Sequence, residues 1–230
     1  MAKSERYFSI DVEASGPIPG PWWMPSFGCC PTDDVQDGFK AMLKPLECCF
    51  NELSDIVQDD VPGAMKVVAQ GTPDFKWYVS KSDKVNCDAL WDYYNANGED
   101  PAYALQRFKG WLRKRGRDLG HRIYMVGAPL SFDFMWIYWY YQFVMGEMPE
   151  FSFSGLDMRS YFMGSHGETG LRSNKKRYKR FYPTDIPHTH DPLDDAMEQG
   201  EIWQQMVDAR VSKVLVLPGS NKHLERPQGI

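Results

Sequence analysis

Two acidic side chains stand at the end of the first strand-like segment of this 230-residue chain. Polar and apolar residues alternate over residues 7–13, so Asp11 and Glu13 project from the same face of a strand. Two carboxylates at that spacing do not both stay ionised unless a cation lies between them. A loop rich in glycine and proline follows, and ligands of α/β sheets bind beyond the carboxyl ends of strands. The pair therefore indicates a metal site, with a solvated strand end as the alternative.

A third acid, Asp133, occupies a comparable position later in the chain. Residues 122–126 are typical of a buried strand, and the Gly127-Ala128-Pro129 break leads from it into a helix predicted over residues 131–144. Asp133 falls in the first turn of that helix, where an acid often only complements the helix dipole. Here it borders a run of aromatic residues, which indicates a carboxylate at the edge of a buried helix.

The last helix brings a histidine and a fourth carboxylate together. Asp191 is predicted to cap this helix and Pro192 to begin it, which places Asp195 one turn inside. His190 precedes the cap on a loop, and from there an imidazole can act as a general base beside a metal that Asp195 holds. A zinc site formed by His188 and His190 is an alternative, but a cluster of carboxylates suits Mg²⁺ or Mn²⁺ better.

The elements that must position these residues alternate between strands and helices, which indicates one α/β domain over residues 1–217 with a loose tail at 218–230. Asp100-Pro101 is typical of a helix start, and the basic turn at 113–117 is typical of a helix end. The remaining predictions are strands at 26–30, 38–43, 65–69 and 155–159, helices at 87–94 and 192–210, and a charged loop at 172–180.

Composition limits the classes of protein that remain. The chain is 43% hydrophobic and 25% charged, as ordinary globular proteins are, and its net charge of −5 excludes a surface that is basic all round. The longest apolar stretch, residues 130–145, is short for a membrane span, and no secretory signal is visible, so we expect a cytoplasmic protein without membrane contact. The five cysteines include two vicinal pairs without Cys-x-x-Cys spacing, and we expect reduced thiols.

Taken together, these motifs resemble those of the DEDDh 3′–5′ exonucleases of the ribonuclease H-like superfamily. The matching residues are Asp11 and Glu13 within Phe8-Ser9-Ile10-Asp11-Val12-Glu13-Ala14-Ser15-Gly16, Asp133 after Phe132, and His190 five residues before Asp195. The resemblance spans roughly residues 7–210 and keeps the order of the motifs. It departs from the family where Ala128-Pro129 replaces a usual His-Asn pair and Ser15-Gly16 replaces Thr-Gly, although Ser15 keeps a hydroxyl.

The resemblance implies a ribonuclease H-like three-layer α/β/α fold around a mixed central sheet of roughly five strands. It implies hydrolysis of phosphodiester bonds with two divalent ions, Mg²⁺ or Mn²⁺, about 4 Å apart. Asp11 would bridge the ions, Glu13 and Asp195 would complete one site, and Asp133 would hold the other. His190 would take the proton of the attacking water, and 5′-mononucleotides would leave from a nucleic acid with a free 3′ end.

Two segments are expected to contact this substrate. The resemblance assigns such a role to the loop after the first strand and to the start of the later helix, through Ala14, Ser15, Gly16 and Phe132. The second segment carries six cations interleaved with aromatic residues, Arg172, Lys175, Lys176, Arg177, Lys179 and Arg180. Its place just before the His190 loop predicts phosphate contacts by Lys175, Lys176, Arg177 and Lys179, with a solvated loop as the alternative.

Two other classes of protein stay open at this point. One is a non-catalytic nucleic-acid-binding protein on the same fold, and the other is a zinc hydrolase that uses His188 and His190. The sequence does not separate DNA from RNA as the substrate. Trp22 and Trp23 fit base stacking, core packing or the contact of a homodimer equally well.

Overall fold

The computed structural model describes residues 4–46, 62–72, 87–170 and 173–216, and a mixed five-stranded sheet lies at its centre. The sheet has the strand order β3-β2-β1-β4-β5. β1 pairs antiparallel with β2 and parallel with β4, so the carboxyl end of β1 lies in the middle of the sheet. The strands are β1 Glu5–Glu13, β2 Ser26–Pro31, β3 Phe39–Met42, β4 Arg122–Gly127 and β5 Leu156–Asp157.

Helices cover both faces of this sheet. Within the described ranges they are α1 Pro62–Gly71, α2 Cys87–Asn97, α3 Pro101–Arg115, α4 Leu130–Tyr140, α5 Met158–His166, α6 Lys175–Tyr178 and α7 Pro192–Val216. Side chains of α3 and α4 form one core with the apolar face of β1, whereas α7 packs on the opposite face against β1 and β2. The expected α/β architecture with a mixed sheet is therefore confirmed.

Local signals in the sequence predicted several element ends correctly. Asp100 caps α3 by accepting the backbone N–H of Tyr103, and Gly116 closes its basic last turn. At the start of α7, the Asp191 carboxylate accepts the backbone N–H of Leu193. These ends were predictable because each capping contact spans only a few residues.

The strand predicted at residues 65–69 is wrong, because this segment belongs to α1. Met65, Val68 and Ala69 have helical spacing and pack against Trp23 and α2 in a small core of their own. Five residues are too few to separate a strand from a buried helix by pattern. The part of this region at residues 47–61 and 73–86 lies outside the described residues, as do the predicted tail and Arg172.

Four further segments are corrected. Only Leu156–Asp157 of the strand predicted at 155–159 forms a strand, because Asp157 then caps α5 by accepting the N–H of Ser160. The helix predicted at 131–144 ends as a π-helical turn over Tyr141–Met145. The segment predicted as a charged loop at 172–180 contains α6, which Asn174 caps, and α7 continues past residue 210.

The structure describes the side chains of two of the five cysteines. Cys29 and Cys30 are buried free thiols in β2, and burial raises the pKa of each thiol. In the described part of the chain, no helix combines the length and the apolar character that crossing a membrane requires.

Candidate active site

The carboxyl end of β1 carries the first pair of predicted ligands. Its apolar residues pack under α3 and α4, so alternation turns Asp11 and Glu13 toward α7. Asp11 pairs in register with Gly28 of β2, and a Cβ on Gly28 would overlap the backbone of Pro192. The bare glycine thus allows the first turn of α7 to approach the sheet directly beside Asp11.

Asp195 completes a carboxylate cluster at this point. One oxygen from each of Asp11, Glu13 and Asp195 lies within 4.8 Å of the others. Asp133 is buried next to them, and its Oδ1 accepts the backbone N–H of Val12 at 3.0 Å. Three of the four predicted ligands therefore lie within reach of one cation. The fourth, Asp133, is hydrogen-bonded to the backbone of β1 beside them.

Burial and repulsion by neighbouring carboxylates raise the pKa of Asp11, Glu13 and Asp133. Desolvation and then the charge of Asp195 raise the pKa of Asp11 to about 7, although Lys175 opposes the shift. Desolvation and the charges of Asp11 and Asp195 raise the pKa of Glu13 to about 9. Burial and then the charge of Asp11 hold the pKa of Asp133 well above its usual range. The cluster thus lacks the positive charge that a bound cation would supply.

The donor set fits a hard divalent cation. All the converging ligand atoms are carboxylate oxygens, which Mg²⁺ and Mn²⁺ prefer over softer donors. The lysine that acts electrostatically on Asp11, Lys175, pairs with the buried Glu198 instead of with the cluster. Asp11, Glu13 and Asp195 could hold a cation together, and Asp133 lies where it could help to hold a second.

The raised pKa of Glu13 predicts how the metal-free protein responds to pH. The folded pKa of about 9 exceeds the ordinary 4.5, so proton binding stabilises the folded state below pH 4.5 and this contribution is lost as the pH rises toward 9. We expect the Tm of chelator-treated protein to fall between about pH 6 and pH 8.5, and Mg²⁺ to raise the Tm more at the higher pH. Scanning calorimetry at both pH values measures the effect.

A Glu13→Gln variant is the matched control for this measurement, because it removes the titrating group and keeps the side-chain shape. Its Tm should depend less on pH than that of the unmodified chain. A Mg²⁺-induced rise in Tm that is the same at both pH values in the unmodified chain would contradict the prediction.

The loop before α7 carries His190 in an unusual backbone conformation. Its φ of 60° lies in the left-handed region, which few residues other than glycine adopt. A Cβ on Gly71 at the end of α1 would overlap the His190 carbonyl, so helix and loop are in direct contact. Thr189 donates its backbone N–H to Asp195 at 3.0 Å and its hydroxyl to Asp194 at 2.7 Å. The loop and the first turn of α7 therefore hold each other in place.

His188, which the sequence placed only in the alternative zinc site, contacts Asp195 directly. Its Nδ1 lies 2.7 Å from Asp195 Oδ2 and 2.9 Å from Lys175 Nζ. The rings of His188 and His190 meet edge to face with 4.6 Å between their centroids. Asp195 thus belongs to the carboxylate cluster and to a pair of imidazoles at the same time.

Two residues of α7 that face this site were not predicted from the sequence. Gln199 is buried and donates its Nε2 to Asp11 Oδ1 at 2.7 Å. Glu198 is fully buried and lies 2.6 Å from Lys179 Nζ. Both follow Asp195 by one helical turn, so the i+3 and i+4 spacing would have placed them on its face of the helix.

The predicted substrate loop after β1 folds back on itself. Ser15 is buried, donates its N–H to the Trp23 carbonyl at 3.0 Å and accepts the Trp23 N–H on its hydroxyl at 2.9 Å. A Cβ on Gly16 would overlap the Trp22 ring, so this position requires glycine. The other two predicted contacts are Ala14, which is buried, and Phe132, which is partly buried. Contacts of these four residues with nucleic acid stay predictions.

Ion pairs use part of the charge of the basic segment. Lys175 and Lys179 both pair with Glu198, and Arg177 pairs with another carboxylate, Glu168, at 2.5 Å. Lys176 is exposed and takes part in none of the ion pairs found in the described part of this segment. Of the four predicted phosphate contacts, Lys176 therefore has its charge most available to a ligand.

Comparison with known proteins gives relatives along nearly the whole chain. No family model matches the chain. It is 29% identical over 201 residues to the 3′–5′ DNA exonuclease Cap18 of Escherichia coli, across 87% of this chain and 90% of that protein. The nuclease domain of 3′hExo, a DEDDh family member bound to rAMP, has a TM-score of 0.61 at 13% identity, covering 90% of this chain and 93% of that one. E. coli exonuclease I in complex with a dT13 oligonucleotide has a TM-score of 0.53 at 15% identity, covering 92% of this chain and 43% of that one.

The fold and the acidic cluster agree with the class to which these relatives belong. The chain has the ribonuclease H-like fold of these exonucleases, and its resemblance to the DEDDh 3′–5′ exonucleases is confirmed. The predicted activity of a 3′–5′ exonuclease, and thus of a hydrolase, agrees with these comparisons. Dependence on a divalent metal agrees with this class and with the acidic cluster at β1. Neither the non-catalytic binder nor the unrelated zinc hydrolase is favoured.

Proposed function

We propose that this protein is a metal-dependent 3′–5′ exonuclease that hydrolyses phosphodiester bonds of single-stranded nucleic acid and releases 5′-mononucleotides. The observation that carries the proposal is the convergence of Asp11, Glu13 and Asp195 within 4.8 Å beside the His190 loop. The similarity to a DNA exonuclease over most of both chains supports DNA as the better substrate. A nucleic acid with a free 3′ end is the partner this function requires.

Four carboxylates are the expected ligands of two Mg²⁺ or Mn²⁺ ions. Asp11, Glu13 and Asp195 would hold one ion, and Asp133 would hold the other together with Asp11. When bound, the ions neutralise charge on the scissile phosphate and lower the pKa of the attacking water. Gln199 restrains one oxygen of Asp11, and a backbone N–H of β1 restrains one oxygen of Asp133. These hydrogen bonds orient the carboxylates before any ligand arrives.

His190 would accept the proton of the attacking water on a ring nitrogen. The imidazole lies in one cluster with Asp195, and a nearby carboxylate stabilises the imidazolium that forms. The contact of its carbonyl with Gly71 and the hydrogen bonds of Thr189 determine the path of the loop. The base is therefore positioned by three separate elements, α1, the loop and α7.

Digestion of oligonucleotides labelled at one end tests the proposed function directly. A 5′-labelled single strand should shorten progressively, whereas a 3′-labelled strand should release labelled mononucleotide from the first turnover. Single-stranded DNA, single-stranded RNA and duplexes are compared side by side, and we expect single-stranded DNA to be cut fastest. Excess chelator should abolish cleavage, and Mg²⁺ or Mn²⁺ should restore it. Full activity in excess chelator, or cuts inside the strand, would contradict the proposal.

The basic segment at residues 172–180 is expected to bind the phosphate backbone. Neutralising Lys175, Lys176, Arg177 and Lys179 together should weaken oligonucleotide binding and flatten its salt dependence, because fewer counterions are released. Lys176→Gln alone should lower the slope of log K against log salt by about 0.7, the value of one phosphate contact with a single strand. Fluorescence anisotropy over a salt series, in an Asp11→Asn background that prevents digestion, measures the slope.

Lys114→Gln is the matched control, because Lys114 is an exposed lysine on α3 outside the segment. Its slope should equal that of the background chain. An unchanged slope in the quadruple variant would show that none of these four cations contacts the phosphate backbone. A homodimer and a cytoplasmic location stay predictions alongside this function.

A further inference from the structure

Beside the carboxylate cluster lies a second group of side chains with a different donor set. One ring nitrogen each of His188 and His190 and one oxygen of Asp195 lie within 4.8 Å of one another. The shortest of these contacts, between His188 Nδ1 and Asp195 Oδ2, is 2.7 Å. The group thus shares Asp195 with the carboxylate cluster but draws its other donors from the loop before α7.

The chemistry of this group differs from that of a magnesium site. Two imidazoles and one carboxylate form a common three-residue ligand set of Zn²⁺, with a fourth position left to water or substrate. Mg²⁺ favours oxygen ligands and is served by the acidic cluster. Zinc bonds of about 2.0–2.1 Å place tetrahedral ligand atoms roughly 3.4 Å apart. The three side chains therefore need to move by only about 1 Å from their observed positions to bind one zinc ion.

The backbone already holds the two histidines together. Thr189 lies between them, and its N–H and hydroxyl are bonded to Asp195 and Asp194, which restrains the loop on both sides. The left-handed conformation of His190 turns the chain so that its ring meets that of His188. In an extended His-x-His segment the two side chains would project side by side from one face of the strand. The loop would then not bring them together next to Asp195.

The surroundings permit a cation to enter. The His188 side chain is 42% exposed, so one side of the group faces solvent. The ammonium of Lys175 lies 2.9 Å from His188 Nδ1, but it also pairs with the fully buried Glu198. Lys175 therefore retains a carboxylate partner when His188 turns its nitrogen toward a metal.

We propose that His188, His190 and Asp195 form a zinc site separate from the proposed magnesium site and sharing only Asp195 with it. Occupation by Zn²⁺ engages the ring nitrogens with the metal, so His190 no longer accepts a proton. Zinc is therefore an inhibitor that acts in the presence of saturating Mg²⁺. The site itself stands on the geometry of the three residues, whereas the inhibition rests on the proposed function.

Zinc binding can be measured without any nuclease activity. The full chain with Asp11→Asn and Glu13→Gln lacks two ligands of the carboxylate cluster and keeps all three of the zinc site. Titration with Zn²⁺ against a chromophoric chelator should show one equivalent bound, and Co²⁺ should give the visible absorption of a tetrahedral site. Loss of a residue that only hydrogen-bonds to a metal ligand lowers metal affinity by roughly 10- to 100-fold. Adding His188→Asn removes a ligand itself and should weaken zinc binding by more than that.

His121→Asn is the matched control, because His121 is a histidine hydrogen-bonded to Ser4 before β4, outside the group. It should leave zinc affinity unchanged. Circular dichroism and Tm confirm folding of each variant, and His190→Asn provides a second ligand deletion should His188→Asn unfold. No zinc bound in the background chain, or equal affinity with and without both histidines, would overturn the site.

The inhibition is tested separately in the chain with its carboxylates intact. Zn²⁺ should reduce cleavage at saturating Mg²⁺, and His188→Asn should raise the inhibitory zinc concentration by the same factor as it raises the zinc Kd. Binding without inhibition would overturn the inhibitory role while leaving the site intact. Absence of cleavage under any metal would refute the proposed function, and the binding titration would still decide the site.

Discussion

Replacing Asp11 with asparagine is expected to lower exonuclease turnover at least about 10³-fold. Asp11 lies at the centre of the carboxylate cluster, with one oxygen within 4.8 Å of Glu13 and Asp195. Its charge also raises the pKa of Asp133. An amide removes the negative charge that would hold the cations and leaves a single neutral oxygen as a ligand. Single-turnover digestion of a 3′-labelled single strand at saturating Mg²⁺ measures the loss.

Two controls separate this effect from misfolding. The Tm of the metal-free protein should rise or stay constant. Burial and the charge of Asp195 both disfavour the ionised Asp11 carboxyl group, and Asp11→Asn removes this group. Asp118→Asn, on an exposed turn outside the site, should leave turnover unchanged. Turnover within tenfold of the unmodified chain would show that Asp11 is no essential metal ligand.

Replacing His190 with alanine is expected to lower turnover by about 10²–10⁴-fold with little change in substrate binding. The imidazole is the group proposed to take the proton of the attacking water, and no phosphate contact is assigned to it. The pH profile should change as well, because the limb that reports ionisation of the base should disappear. The rate constant of the chemical step over a pH series, together with oligonucleotide affinity, measures both effects.

Asp194→Asn is the matched control, in the first turn of α7 next to the same loop. Asp194 accepts the Thr189 hydroxyl, and an asparagine oxygen can accept it too, so the loop should keep its path and turnover should change little. Equal and severe losses in the two variants would show that His190 supports the loop instead of acting as the base. A pH profile that survives His190→Ala unchanged would lead to the same conclusion.

The order of the motifs and the local elements were predictable from the sequence. Alternation in β1 places Asp11 and Glu13 on one face, and the Asp-Pro signals locate the starts of α3 and α7. The His190–Asp195 spacing then indicates a base next to a helix-borne ligand. Each of these signals depends on residues close together in the chain, so a single segment contains all the information.

Only the tertiary structure decided which distant residues meet. Gly28 permits α7 to approach β1, and Gly71 permits α1 to contact the His190 loop, although nothing near either glycine in sequence indicates its neighbour. Likewise, nothing near Lys175 and Lys179 in the sequence indicates that both pair with Glu198 of α7. Such contacts follow from how helices pack on the sheet, which depends on side-chain volumes summed over the whole core rather than on local pattern.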